Sequence, residues 1–353
     1  MDFVNAPPGC RSADEYWFSD EQADDILRTV AYHRIDYDRA MLSFPPVDDQ
    51  LRLLISTSFR RPSAHGLGIL DRLPTELLWA VIFRLDMRSV FRLRQVNTRA
   101  RQTLEALIEY RAVAFWGLDA FCALLRTGLA ERVSLTQFWD ALCTKNCTLC
   151  GEFGGFISLP TWTRCCIWCV HWAPETQLRS LASIRRQLRL PGRLLNSLPQ
   201  IKTLPGLYCV SQNKYVAQVR IVPMLQATAL SAQRPPPQGQ ARPQWVERHT
   251  DRKYNFMGSC ALPYYDIERG RAGGVEFGVS CAGCQFTHIH TDPRGGDWLW
   301  TLLARDMVYS QAGFLEHFKW CAMAQYLWGM SEEGTVVPAQ LPFLARTGSI
   351  FMV

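Results

Sequence analysis

Residues 66–107 read GLGILDRLPTELLWAVIFRLDMRSVFRLRQVNTRARQTLEAL, and the pattern spells three short helices. Pro74 opens the first at the N1 position, where its missing N–H costs nothing. Glu76 follows in the first turn, where a carboxylate suits the helix dipole. Leu77, Leu78, Val81, Ile82 and Leu85 recur at helical spacing as one apolar stripe. Trp79 and Phe83, four apart, extend that surface beyond the stripe. Asp86 ends the stripe and can cap a second helix from Met87, with Val90, Leu93 and Val96 on one face. Asn97 can cap a third, from Thr98 toward Glu105, carrying Leu104, Leu107 and Ile108. Helices this short and few cannot bury their own faces, so a second apolar surface is expected.

These residues resemble an F-box. The family shows a Leu-Pro pair, an acidic residue two positions on, an apolar helix ending in Leu, then a helix closing in an Arg-Gln-Val-type run. Here these are Leu73, Pro74, Glu76, Leu77, Ile82, Phe83, Leu85, Leu93, Arg94, Gln95, Val96 and Asn97. The resemblance covers about 40 residues, and many positions agree in order. It implies docking on a Skp-type adaptor, which would tie the chain to a cullin-based ubiquitin ligase. The implied adaptor-binding residues are Leu73, Pro74, Glu76, Leu77, Ile82, Phe83, Leu85, Leu93 and Val96.

Around this segment, the chain of 353 residues has room for two or three domains. The net charge of +6 reads as spread through both halves, and no long Lys/Arg run marks a nucleic-acid arm. No stretch approaches the roughly 18 apolar residues of a membrane span, so no membrane partner is expected. The first residues, MDFVNAPPGCRSADEYW, lack the charged and apolar regions of a secretory signal. A cytoplasmic or nuclear location is therefore expected, where thirteen cysteines favour metal binding over disulfides.

Eight of those cysteines fall in tight groups: Cys143, Cys147 and Cys150; Cys165, Cys166 and Cys169; Cys281 and Cys284. Cys147-x2-Cys150 and Cys166-x2-Cys169, fifteen residues apart, have zinc-ribbon spacing. Each pair can form a tight turn whose thiolates converge, and two such turns give the tetrahedral S4 set of structural zinc. Gly151 suits the turn after the first pair. The residues between the pairs read as a β-hairpin with aromatic cover. Cys165 is an alternative to Cys166, and Cys143 and His171 stand outside as candidates. A second candidate site joins Cys281-x2-Cys284 to His317-x3-Cys321, whose last two members share a helix face. His288 and His290 are rival ligands there. Neither site has an adjacent general base, so both read as structural. The run CTLCGEFGGF…LP…RCC..C, and later Phe314-Leu315-Glu316-His317-Phe318-Lys319-Trp320-Cys321, are similar to a group of fungal F-box proteins. That resemblance names no target.

The fold class is α+β, mainly α. Residues 1–64 form an N-terminal region, partly helical or disordered, with helices from Glu21 to His33 and Gln50 to Ser58 that could pack on the F-box. The F-box spans 65–110, a helical connector of two helices 111–142, and a Cys-rich zinc-ribbon-like segment 143–172. Residues 173–222 hold helices, divided at Pro191-Gly192, and short strands. Residues 223–244 read as a Pro/Gln-rich linker or loop. A C-terminal domain with the second candidate zinc site spans 245–335, and 336–353 form a tail.

Two function classes compete. The first is a non-catalytic substrate receptor that binds the adaptor and, through its zinc-stabilised C-terminal part, an unknown protein target, acting by proximity. The second is a zinc-ribbon nucleic-acid binder using the basic 179–193 region, which predicts steep salt dependence. The lack of a basic-aromatic stripe disfavours it. A RING-type ligase needs interleaved sites, and the next Cys pair lies over a hundred residues beyond Cys169. Thiolate-rich sites without a base disfavour a metallo-hydrolase.

Overall fold

A computed structural model describes residues 11–43, 57, 66–233, 251–268 and 274–349. Helices dominate and strands are short. The chain forms two compact units. One takes Asp38–Val275; the other takes both chain ends, Met1–Tyr37 and Glu276–Val353.

Within the larger unit, a 3-10 helix Gly68–Arg72 leads into α1 (Thr75–Arg84), α2 (Met87–Arg94) and α3 (Thr98–Ala106). Pro74 stands one position earlier than the sequence reading placed it. It is the N-cap of α1 in extended conformation, and its carbonyl accepts the first helical bond, from Leu78 N–H at 3.0 Å. Asp86 caps α2, accepting from the Arg88 and Ser89 N–H groups. Asn97 caps α3, accepting from Ala100 N–H. The α1–α2 turn is fixed from outside. Met87 N–H donates to Val133 O, and Leu135 N–H to Leu85 O, both at 2.9 Å.

Three helices follow where two were expected: α4 (Ile108–Trp116), α5 (Leu118–Thr127) and α6 (Leu135–Leu142). The extra break falls at Gly117, where a Cβ would stand 2.6 Å from the Phe138 ring. Leu78, Ile82, Met87, Val90 and Leu104 join Phe121, Leu124, Leu135 and Phe138 in one buried cluster. The same cluster continues into Ile157, Leu159, Cys260 and Leu262.

Ile157 and Cys260 belong to a three-stranded antiparallel sheet, and Leu159 and Leu262 directly follow its strands. Its central strand β1 (Phe156–Ser158) pairs with β2 (Thr163–Cys165), Phe156 opposite Cys165. On its other side it pairs with β5 (Ser259–Ala261), Ile157 opposite Cys260. Residues 251–268 thus belong with the Cys-rich segment, not with a C-terminal domain beginning at 245. The buried face of β1 needs a second neighbour, and β5 supplies it. Between β2 and β5 come α7 (Ile167–Trp172), β3 (Leu178–Ser180), α8 (Leu181–Leu188), β4 (Arg220–Pro223) and α9 (Met224–Ala232). β4 pairs with β3 and with Ile201–Lys202. The short hairpin Gly206–Tyr208/Asn213–Tyr215 lies between them in sequence. The first part of the expected 223–244 linker is therefore helical. Pro223 caps α9, and Ala227 is buried against Ile184 and Leu188 of α8. Residues 234–250 lie outside the described residues.

The smaller unit joins an early segment of the chain to a late one. Helix Ala23–Val30 runs into strand Ala31–Tyr32, which pairs antiparallel with β6 (Ser280–Cys281), Ala31 opposite Cys281. The expected helix to His33 stops at Val30 for that reason. Residues 11–37 thus belong to this unit and not to the one that contains α1, α2 and α3. The expected helix at 50–58 lies outside the described residues, Thr57 apart. α10 (Ala282–His290), α11 (Trp298–Arg305), α12 (Gln311–Phe318) and α13 (Ala322–Gly329) complete it, with the helix Phe343–Thr347 in the expected tail. No helix among the described residues is long and apolar enough to cross a membrane.

Two candidate metal centres and an exposed helical face

In the larger unit, the Sγ atoms of Cys147, Cys150, Cys166 and Cys169 lie within 4.8 Å of one another. The first pair sits in a tight turn. Gly151 N–H donates to Cys147 O at 2.9 Å, and Cys147 N–H to Glu152 O at 2.6 Å. Gly151 holds φ +83, which a side chain resists. Gly154 allows close approach, since a Cβ there would stand 2.9 Å from Cys147 N. The second pair is built differently. Strand β2 delivers Cys166 to the N-cap of α7, where its sulfur accepts from Cys169 N–H at 3.4 Å. The helix N-terminus thus points its partial positive charge at the sulfurs.

The smaller unit repeats this construction. β6 delivers Cys281 to the N-cap of α10, and its sulfur accepts from Cys284 N–H at 3.4 Å. Cys321, the N-cap of α13, and His317 on α12 complete a set within 4.8 Å, all four buried. Gly283 inside this knuckle is required by packing: a Cβ would stand 2.3 Å from Ala324 N. His317 directs Nε2 toward Cys284 Sγ at 3.3 Å, while its Nδ1 lies 3.4 Å from the Tyr309 hydroxyl. Its ring stacks on Tyr309, with centroids 4.8 Å apart. Tyr309 thus fixes the imidazole as an outer partner of a ligand does.

Both donor sets fit a tetrahedral thiophilic ion. Metal–sulfur bonds of about 2.3 Å imply S···S edges of about 3.8 Å. The sulfurs of Cys150 and Cys166 are 3.6 Å apart, those of Cys281 and Cys321 3.8 Å, and those of Cys284 and Cys321 3.9 Å. The proton chemistry agrees. Hydrogen bonds from Cys166 and Cys169 hold Cys147 far below the usual thiol range, and bonding to Cys147 pushes those two up. Likewise Cys281 and Cys284 hold Cys321 down. Burial pushes Cys281 up, and bonding to Cys281 and Cys321 raises Cys284. In each set one thiol is held down by its neighbours, and a central cation would replace the protons of the others.

The rival ligands lie elsewhere. Cys165 is buried in β2, outside the donor set, and burial pushes its thiol well up. Cys143 is outside too, raised to about 12 by burial. His171 packs on Trp172 and Phe256. His288 faces the Thr301 hydroxyl at 3.2 Å, and exposed His290 faces Phe286 O at 2.8 Å.

The helical face differs from its sequence reading. α1 has a buried side, Leu78 and Ile82, and an exposed side, Leu77 and Val81, 55% and 50% exposed. Leu73 and Leu70 continue the exposed side, Ile69 lies beside it, and Pro74 and Glu76 are exposed as well. Ile82 is 1% exposed, inside the chain's own core, and has no side chain to offer a partner. Phe83, Leu85 and Leu93 pack half-buried against the same core, as does Trp79, which was expected to widen the outer surface. Val96, after α2, is 67% exposed. Sequence reasoning passed over Ile69, Leu70 and Val81 as surface residues. The four-residue step Leu73–Leu77–Val81 was the signal that could have found the last.

Residues 70–111 match the family model of the F-box domain. No curated protein and no solved structure matches the chain.

Proposed function

We propose, from the F-box domain that residues 70–111 carry, that this chain is a substrate-receptor subunit of a Skp-cullin-F-box ubiquitin ligase. F-box domains bind Skp-type adaptors, and the adaptor links to the cullin. The observation that carries the reading is the two-sided α1. Its inner side is locked into the core, while Leu70, Leu73, Leu77 and Val81 form an apolar ladder on the outer side. A helix in an adaptor groove uses such a ladder. Pro74, Glu76 and Val96 flank it, and Ile82, Phe83, Leu85 and Leu93 act behind it as its support.

Cys147, Cys150, Cys166 and Cys169 hold one structural zinc in this reading; Cys281, Cys284, His317 and Cys321 hold a second. All four positions of each set are protein ligands, so the metal holds the fold and does no bond chemistry. The chain acts by proximity, holding a protein target beside the charged ubiquitin carrier, in the cytoplasm or nucleus. The continuous core from α1 to the Cys-rich sheet supports a fixed spacing between adaptor and target. The nucleic-acid reading loses one of its residues, because Arg179 is buried.

Co-purification tests the proposal. Wild type should retain a Skp-type adaptor in stoichiometric amount, and Leu73→Ala/Pro74→Ala should lose it while zinc content stays unchanged. A folded, zinc-loaded wild type that ignores the adaptor sinks the reading.

A further inference from the structure

The charge of the chain divides by unit, which the total of +6 conceals. The smaller unit contains fifteen Asp or Glu and seven Lys or Arg, a net charge of −8. The larger unit has the other seventeen acids and thirty-one bases, a net charge of +14. The acids of the smaller unit are densest near its start, where Asp14, Glu15, Asp20, Glu21, Asp24 and Asp25 fall within twelve residues.

This segment is tied down along the end of α12. Ser12 N–H donates to Trp320 O at 3.0 Å, and Tyr16 N–H donates to Lys319 O at 2.9 Å. Tyr16 and Phe18 turn inward, each edge-on to the Phe318 ring, with centroids 5.4 and 5.7 Å away. Trp17 between them is left outside. It is 83% exposed, more than any other large apolar side chain among the described residues. A pocket of about 480 Å³ opens beside it. Tyr16, Trp17, Phe18 and Leu315 give it apolar walls, and Glu15, Asp20, Glu316 and Lys319 give it charged ones. Lys319 Nζ lies 3.0 Å from Glu316 and 3.4 Å from Glu15, so one ammonium serves two carboxylates. Asp20 is exposed and has no ion pair among the described residues, so the lining has a net charge of −2. The nearest other cations are engaged elsewhere: Arg28 pairs with Asp25, and Arg11 lies over the Trp320 ring at 4.5 Å. The wall is firm because α12, which supplies Leu315 and Glu316, also delivers His317 to the second donor set.

We propose that this pocket binds an arginine side chain in a basic segment of the protein that the ligase targets. The identity of the occupant rests on the substrate-receptor reading. An open indole beside excess carboxylate is a site for a cation, which the face of the ring attracts. Arginine suits it better than lysine. A planar guanidinium stacks on the indole while its N–H groups donate to carboxylates, and its aliphatic stem covers Leu315. The acidic unit around the pocket draws a basic segment toward it. The same charge repels a nucleic acid. A second copy of this chain, with its basic larger unit, offers similar chemistry, and the test separates that source.

The test uses the full chain co-expressed with a Skp-type adaptor, and three labelled peptides read by fluorescence polarisation. The peptides share one Gly/Ser-rich sequence and carry Arg, Lys or citrulline at the centre. Citrulline keeps the shape of arginine without its charge. The Arg peptide should bind at least about tenfold tighter than the citrulline peptide, the scale of a cation–π contact joined to a charge-assisted hydrogen bond. It should also bind tighter than the Lys peptide, and added salt should narrow its lead over citrulline. Trp17 is exposed, so Trp17→Ala should keep the melting temperature and abolish the preference. Asp20→Asn should weaken it. Equal binding of the Arg and citrulline peptides, or an unchanged preference in Trp17→Ala, overturns the proposal. Equal binding of the Arg and Lys peptides overturns the assignment to arginine. Light scattering over a concentration series tests for the second copy. Self-association that the Arg peptide reverses and Trp17→Ala removes overturns the target as occupant. Adaptor retention is read on the same samples. Retention without discrimination overturns the pocket and leaves the receptor reading standing. Discrimination without retention supports the cation site and overturns the ligase target as its occupant.

Discussion

The carboxylate of Asp86 accepts from the Ser89 hydroxyl at 2.7 Å, from Ser89 N–H at 2.9 Å and from Arg88 N–H at 3.0 Å. Partial burial acts to raise its pKa, but these bonds outweigh it and hold the group below its ordinary value. A depressed folded pKa means that the cap's contribution is fully present above the unfolded value of about 4, and is lost as pH falls through the folded value. Asp86→Ala should cost about 1 kcal/mol in denaturant unfolding at neutral pH. The difference from wild type should shrink below about pH 4, where the unfolded carboxyl takes up its proton. Asp86 and Asn97 were legible in the sequence because capping depends on residue type and spacing alone. The two sides of α1 were not. Val81 and Ile82 are equally apolar neighbours, and only the position of α6 and the α5–α6 loop decides which one is covered. Cys166 was legible over Cys165 by spacing, since a two-residue gap lets one sulfur accept from the other cysteine's N–H.

At the scale of the element, α1 performs two tasks on opposite sides, and substitutions should separate them. Leu77→Asp places a charge on the exposed ladder, so adaptor binding should fall at least tenfold while thermal stability stays within about 0.5 kcal/mol of wild type. Ile82→Ala opens the core and should cost about 2–5 kcal/mol in denaturant unfolding. Adaptor capture by the fraction that remains folded should be retained. Equal effects from both would mean that α1 has no free side. Capped helices of eight to ten residues were readable from period and composition. Isolated strands of two or three residues such as Ala31–Tyr32 and Ser259–Ala261 were not, because so short a run has no period to detect. β5 is the clear case: Ser259–Ala261 becomes a strand only because β1 needs a second neighbour. α9 was hidden for another reason. Its Ala, Leu, Gln and Met are good helix formers, but the prolines after it dominate the window.

At the scale of the molecule, each unit contains one of the two cysteine sets. Metal analysis of purified protein should therefore give two zinc per chain. Cys169→Ser should remove one and Cys321→Ser the other, each lowering the melting temperature. A chain that retains both metals in either variant would exclude the proposed ligands. Both sets were legible by spacing, but the division into units was not. Local patterns carry no sign that Ala31–Tyr32 will pair with Ser280–Cys281, some 250 residues away. That pairing has a consequence for biosynthesis. On the ribosome the helix Ala23–Val30 and its strand Ala31–Tyr32 emerge before the larger unit, yet their partner Ser280–Cys281 is translated only after that whole unit. At about 5–20 residues per second, the wait is on the order of 10–50 s. During it Ile26 and Val30, buried in the finished fold, have no native cover. The nascent chain thus has a built-in interval in which a chaperone can hold the Ala23–Tyr32 segment before Ser280–Cys281 arrives to pair with it.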